Sequence, residues 1–357
     1  MKILRLTLFL LLIVMGQCVT GQQFPISSHY LVNPYSLNPA FAGSFNRSEL
    51  FMNFRNDWSA IEGSPQTFRI NGHVPIVRNM YLGGEVYTDF ADIFYRLKAG
   101  LSYTYRLEVG YEQYLSFGLA GQFYQGVIRL DQANVDLDDP VLRNLDRLFN
   151  SSFNSSFGLV YNHRNLHVAF GMPVMFRTKN AYSKVSTGDF AFERAYDIYI
   201  VNRYDIHQYW EIQPSILFRK TVNQLMIMDV SAMFVYNKQL WMGVLYRNTS
   251  LFGFSLGGRV LNGLLLHYTF EAGVGGIHRF AGNSHEISIA FTRLHDNSRT
   301  MKSRSGQRQR IDIREKPSEE KLKEKKIKEK AKKKTKQKRV IRTAPLRPLQ
   351  YAPYEKY

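Results

Sequence analysis

Apolar residues recur at every second position in run after run of this chain, and that period constrains its fold more than any other feature. In 264–271, Leu264, Leu266, Tyr268 and Phe270 share one face, while Leu265, His267, Thr269 and Glu271 share the other. Phe252, Phe254, Leu256 and Val260 likewise oppose Gly253, Ser255, Gly257 and Arg259, and Ile287, Ile289 and Phe291 oppose Ser288, Ala290 and Thr292. Successive side chains point to opposite faces of a strand, so period two reads as β-structure. About fourteen such runs can be marked. They begin near Ser48, Gln66, Met80, Tyr95, Gln113, Ser152, Leu166, Arg194, Tyr209, Leu225, Gln239, Leu251, Gly263 and His285.

Many of these runs are about 9–11 residues long, the length a tilted strand needs to cross a bilayer. Beyond the first residues, no stretch of 18 apolar residues offers a membrane-spanning helix. One apolar face, aromatic ends and an even strand number predict an all-β fold, an antiparallel transmembrane barrel of about 14 strands over 47–296. The connections alternate as such a barrel requires. Long links at 128–150, 177–193 and 272–284 fall on one side, and short ones near His163, Asp205, Asn237 and Asn262 fall on the other. A soluble sandwich or a lipocalin-like barrel also alternates. It would bury its apolar face, and would not need so many runs with Tyr and Phe at both ends.

Charge separates the chain into a body and a tail. The net charge is +18, but 297–357 holds 22 Lys/Arg against 7 Asp/Glu, leaving only +3 for the rest. The basicity therefore does not mark the folded body as a nucleic-acid binder. The tail reads as a Lys/Arg-rich, flexible or single solvated helical segment, with Ser318 as N-cap. At the other end, Lys2 and Arg5 precede the apolar run LTLFLLLIVM, so 1–21 reads as a signal peptide. Cys18 is the only cysteine. Cleavage before Gln22 removes it, and with it any disulfide or thiolate metal site. An exported barrel with both mature termini in the periplasm would carry its tail beneath the outer membrane. The tail's anionic partners there would be cell-wall polymer, periplasmic machinery or lipid head groups; nucleic acid is not expected. A disordered, solubilising tail accounts for the same composition.

The motifs that could carry chemistry are weak. Gly253, Ser255 and Gly257 match G-x-S-x-G, but a nucleophile elbow needs a strand, a sharp turn and a helix. His163 and His167 flank a predicted turn instead of sharing a helix face. Asp131, Asp136, Asp138 and Asp139 lack the order of a calcium loop. The glycine-rich 273–282 lacks the helix that a phosphate cradle needs. No catalytic, cofactor or metal residue is assigned.

The 22–46 segment stands apart from the runs. It carries Asn33-Pro34 and Asn38-Pro39-Ala40, then Gly43, with Phe24, Tyr30, Tyr35, Phe41 and Phe45 around them. Proline removes a donor and restricts its predecessor, so neither a regular helix nor a central strand can form. These residues, together with Arg55, Trp58, Gly63, Pro65 and Thr67 further on, resemble the early signature of the PorP/SprF family of Bacteroidota. Later echoes such as NSSFGLVY, IQPSILFR and SHEISIAF extend the resemblance over about 22–293, judged by motif. Two departures stand out: Asp57 in place of a Gln, and HYTFE at 267–271 in place of Tyr-x-Tyr-Asp.

The resemblance implies a non-enzymatic outer-membrane component of type IX secretion and gliding machinery. Its partner would be a secreted surface adhesin with a type IX targeting domain. A porin-like solute channel is the alternative, and an outer-membrane hydrolase resting on Ser255 a weaker one. The prolines of 33–43 are expected to hold an extended path packed under or into the barrel mouth, with aromatics filling apolar gaps. Trp58 is expected as an anchor at the outer interface or as an inward-folded cap.

Overall fold

The computed structural model describes residues 26–45, 47–129, 147–180, 190–261, 263–274 and 278–294. The stretch expected as a signal peptide, Phe24, the acidic stretch around Asp136, Asn262 and the basic tail lie outside the described residues. The chain divides into two units, Met1–His295 and Asp296–Tyr357. All the described strands belong to the first unit.

Strand formation tracks the alternation closely. The strands are β1 (Arg47–Asn56), β2 (Gln66–Val77), β3 (Met80–Ala91), β4 (Phe94–Gly110), β5 (Gln113–Arg129), β6 (Arg147–His163), β7 (Leu166–Val174), β8 (Thr178–Asn180) and β9 (Phe190–Phe192). They continue with β10 (Ala195–Val201), β11 (Tyr204–His207), β12 (Trp210–Thr221), β13 (Ile227–Tyr236), β14 (Leu240–Arg247), β15 (Leu251–Leu261), β16 (Leu264–Gly273) and β17 (Ser284–Leu294). One helical turn, α1 (His278–Ala281), precedes β17.

Strands β1 to β7 pair antiparallel in sequence order. The ladder then passes from β7 to β10 and β12, runs on to β17, and closes where Arg55 stands opposite Glu286 in the β1–β17 register. The result is a closed 14-stranded antiparallel barrel. β8 and β9 form a separate small ladder inside the β7–β10 link, and β11 pairs with β12 alone. The region near Asp205, expected as a simple short turn, therefore carries a strand of its own.

The barrel inverts the usual burial pattern. On β1, Leu50, Met52 and Phe54 point outward, exposed, while Glu49, Asn53 and Arg55 are buried inside. On β16, Leu266 and Tyr268 face out, and His267, Thr269 and Glu271 face in. An apolar outer band around a polar interior is what a lipid-embedded barrel needs, because every ladder hydrogen bond is closed and only the outer face meets hydrocarbon.

The two ends differ. At one end the turns are tight, and Asn79, Glu112, Arg164, Asn237 and Lys238 take positive φ there. Asn and short polar residues tolerate that region best. The opposite end carries the β5–β6, β7–β10 and β16–β17 links.

Candidate functional site: a lumen filled by the chain's own N-terminal segment

The Asn-Pro segment lies inside the barrel. Three short 3-10 turns build it: Ser28–Leu31, Pro34–Ser36 and Pro39–Phe41. Each proline opens a turn, where its fixed φ fits and its missing N–H costs nothing. Asn38 caps the third turn, its side-chain oxygen accepting from the Ala40 N–H at 2.9 Å. The expected extended path is thus corrected: the prolines coil the segment, and the coil shortens it enough to fit the lumen. The segment is also not confined to the mouth. Gly43 meets Arg106 and Tyr81 toward the tight-turn end. Ser27 and Ser28 meet Glu286 and Glu271 toward the long-link end.

Two kinds of wall receive it. Over β3 to β7 the wall makes room by omitting side chains. A Cβ on Gly83 would collide with the Tyr35 hydroxyl, one on Gly118 with the backbone of Ala40, and one on Gly158 with the Asn38 carboxamide. Polar atoms then fix the register. Asn38 donates to the Phe170 carbonyl at 2.7 Å, the Thr104 hydroxyl donates to the Pro39 carbonyl at 2.8 Å, and Arg106 donates to the Gly43 carbonyl at 3.0 Å. Tyr35 pairs with the Ser102 hydroxyl at 2.8 Å.

Over β1, β16 and β17 the wall is charged. Arg55 is gripped by three carboxylates: Asp57 at 2.6 Å, Glu271 at 2.7 Å and Glu286 at 3.0 Å. Ser27 donates to Glu286 at 2.5 Å, the Ser28 N–H donates to the same carboxylate at 3.1 Å, and the Ser28 hydroxyl bonds Glu271. Asn53 adds a donor to Glu286 at 2.8 Å. A buried carboxylate survives only when paired and hydrogen-bonded, and these are both.

Between the two walls, Tyr30 donates to Asp229 at 3.2 Å, and Arg247 holds that carboxylate through two bonds of 2.7 and 2.8 Å. His29 accepts from Asn33 at its Nε2 (2.9 Å) and reaches the Ser288 hydroxyl through Nδ1 (2.9 Å). Asn33 spends its other amide hydrogen on Asn71 at 2.7 Å. Burial holds the His29 pKa well below the ordinary imidazole value, and the charges on Arg69 and His267 add to the effect. His29 is therefore neutral, in the tautomer with its proton on Nδ1.

Most of the motif residues converge here. Asn33, Pro34, Asn38, Pro39, Ala40 and Gly43 form the segment, and Arg55 anchors the charged wall. Trp58, Gly63 and Pro65 lie in the β1–β2 link, and Thr67 lies at the start of β2. Trp58 is half-buried with φ +52°, Gly63 has φ +70°, the Pro65 carbonyl accepts from Asp57 at 2.9 Å, and Thr67 donates to Asp89 at 3.3 Å. Glu271 and Glu286 were not among the expected site residues, and Asp57 and HYTFE stood only as departures from the family pattern. Asp57 and Glu271 are in fact two of the three carboxylates on Arg55. The readable signal was an acid at an inward position on each of two strands whose other face is apolar.

The enzymatic motifs do not assemble. Ser255 lies mid-strand on β15, buried, with no elbow and with its hydroxyl unpartnered. His163 and His167 stand on either side of the β6–β7 turn, and His167 bonds Asn162 at 2.6 Å. The helix within the glycine-rich stretch is a single turn, His278–Ala281. Among the described residues, no group of His, Cys, Asp and Glu is placed to hold a metal ion.

A closed barrel with an apolar belt, a polar lumen and its own N-terminal segment seated inside defines an outer-membrane protein. The chain belongs to the PorP/SprF family of type IX secretion system membrane proteins, whose model matches residues 19–291. No curated protein matches it. Among solved structures, a Pseudomonas aeruginosa FadL homologue is similar at 12% identity and a TM-score of 0.46, covering 77% of this chain and 96% of that one. The P. putida toluene transporter TodX is similar at 8% identity and a TM-score of 0.43, covering 72% and 92%. The KdgM porin is similar at 9% identity and a TM-score of 0.35, covering 69% and 99%.

Proposed function

We propose that this protein supports the export or surface attachment of a secreted adhesin that carries a type IX targeting domain, and that it does so without catalysis. The observation that carries this reading is the family match across the whole barrel. The occupied lumen supports it, because a barrel that keeps a segment bonded around its inner wall is built to hold a partner more than to pass solutes. In this reading the buried motif residues, from Asn33 to Gly43 together with Arg55, seat the segment. Trp58, Gly63 and Pro65 shape the β1–β2 link at the long-link end, which would face the cell exterior and the adhesin.

The short-turn end would then be periplasmic. β17 ends there, since Leu294 pairs with Arg47. The basic tail beyond it would reach cell wall or periplasmic machinery, and a leader removed before Gln22 would direct export. Crosslinking of the tagged protein in outer membranes, pull-down and protein identification test this. Recovery of a large secreted surface protein with periplasmic machinery is expected. Recovery of a well-inserted barrel alone would contradict the reading and favour a porin-like channel.

A further inference from the structure

A cavity lies on the tight-turn side of the lumen segment. It measures about 500 Å³, inside the range of about 300–1,000 Å³ typical of small-molecule sites. Much of the inward face is polar, and here it presents Met233, Trp241 and Leu265, with Leu31 of the segment beside them. These three inward side chains and Leu31 belong to the apolar cluster that packs the segment, and at this cavity they leave an apolar surface open beside it.

The rim of the same cavity is cationic. Arg259 and Lys238 line it, and neither has an ion-pair partner among the described residues. The neighbouring Arg203 is already taken by Glu211 at 2.8 Å. Asp205 also lines the cavity without an ion pair among the described residues. The two free cations therefore leave one positive charge in excess beside an apolar wall.

We propose that this cavity is a binding site for a small amphipathic carboxylate, with its chain against Trp241, Met233 and Leu265 and its carboxylate on Arg259 and Lys238. Apolar contact supplies the affinity. The charge-assisted hydrogen bonds supply selection for the anion over a neutral analogue of the same shape. Trp241 reports directly from the site; its indole N–H donates to His267 at 2.9 Å, so the ring is fixed against the cavity wall.

The test uses the full chain in lipid nanodiscs, with octanoate, octanamide and octylammonium as probes and tryptophan emission as readout. A Trp241→Phe control subtracts Trp58 and Trp210. Octanoate is expected to shift the Trp241 signal saturably, with octanamide at least tenfold weaker and octylammonium weaker still. The double variant Arg259→Ser/Lys238→Ser should erase the difference between octanoate and octanamide. If that variant does not fold, Leu265→Trp fills the apolar end with the rim charges intact, and should abolish saturation. Equal binding of octanoate and octanamide to the unaltered protein overturns the proposal. So does octanoate binding that is unchanged in a folded rim or Leu265 variant, or the absence of a saturable signal with any probe.

Discussion

The two walls of the lumen hold the same segment by opposite means. Over β3 to β7 the wall yields space: Gly83, Gly118 and Gly158 let Tyr35, Asn38 and Ala40 approach the strands. Over β1, β16 and β17 it supplies charge: Arg55, Glu271 and Glu286 form a buried cluster that Ser27 and Ser28 complete. The first wall is selective through shape and tolerates loss of a single hydrogen bond. The second is selective through pairing, and removing one member leaves unpaired charge in a dry place. The seated segment should therefore fail abruptly on the charged side and gradually on the glycine side.

The sharpest way to break that comparison is Arg55→Met. It leaves Asp57, Glu271 and Glu286 facing one another without their cation, and a loss of about 3–5 kcal/mol is expected. The heat-modifiable gel shift and the urea midpoint should both fall; an unchanged midpoint would remove the charged wall from the account. Next comes Gly158→Val, which drives a branched side chain into the Asn38 carboxamide. Overpacking of this kind costs about 1–3 kcal/mol. The barrel should stay folded, while the peptide bonds near Asn38 become cleavable by added protease.

A smaller effect separates the two walls by pH. His29 sits against the charged side with its pKa held below the free value. A displaced segment takes up a proton as pH falls through about 6.5, whereas a seated one does not. Seating is thus fully stable above that pH and is lost progressively below it, by at most about 1.4 kcal/mol per pH unit. Protease sensitivity of the segment should rise between pH 7.5 and 5, and His29→Gln should flatten that rise. The mildest test is Thr104→Val on the glycine side. It deletes one bond to the Pro39 carbonyl and should cost about 0.5–1.5 kcal/mol, read as a small shift in the urea midpoint.

The barrel was legible because lipid enforces the pattern on every strand. An outward Leu266 or Phe254 and an inward Thr269 or Ser255 can be read from neighbours two positions away. The strand starts at Gln66, Met80, Gln113, Leu166 and Leu251 were legible in this way. The coil of the lumen segment was half legible. Two Asn-Pro pairs exclude regular structure, but whether they extend or turn depends on partners such as Gly158 and Thr104, far off in sequence.

The Arg55 cluster was the least legible part. Glu286 reaches Arg55 only because the first and last strands close in that register, and Glu271 arrives from a third strand. No local pattern contains that convergence. What the sequence does carry is its trace, an inward acid on each of β16 and β17 opposite an apolar outer face.

The most direct measurement of the central claim, that the chain's own segment fills the lumen, is single-channel conductance in planar bilayers. The unaltered protein should insert and remain near-silent, and Gly158→Val should give intermittent openings that become frequent at pH 5. A steady, large conductance from the unaltered protein would contradict the account, and would make this barrel a channel whose Asn-Pro segment leaves the passage free.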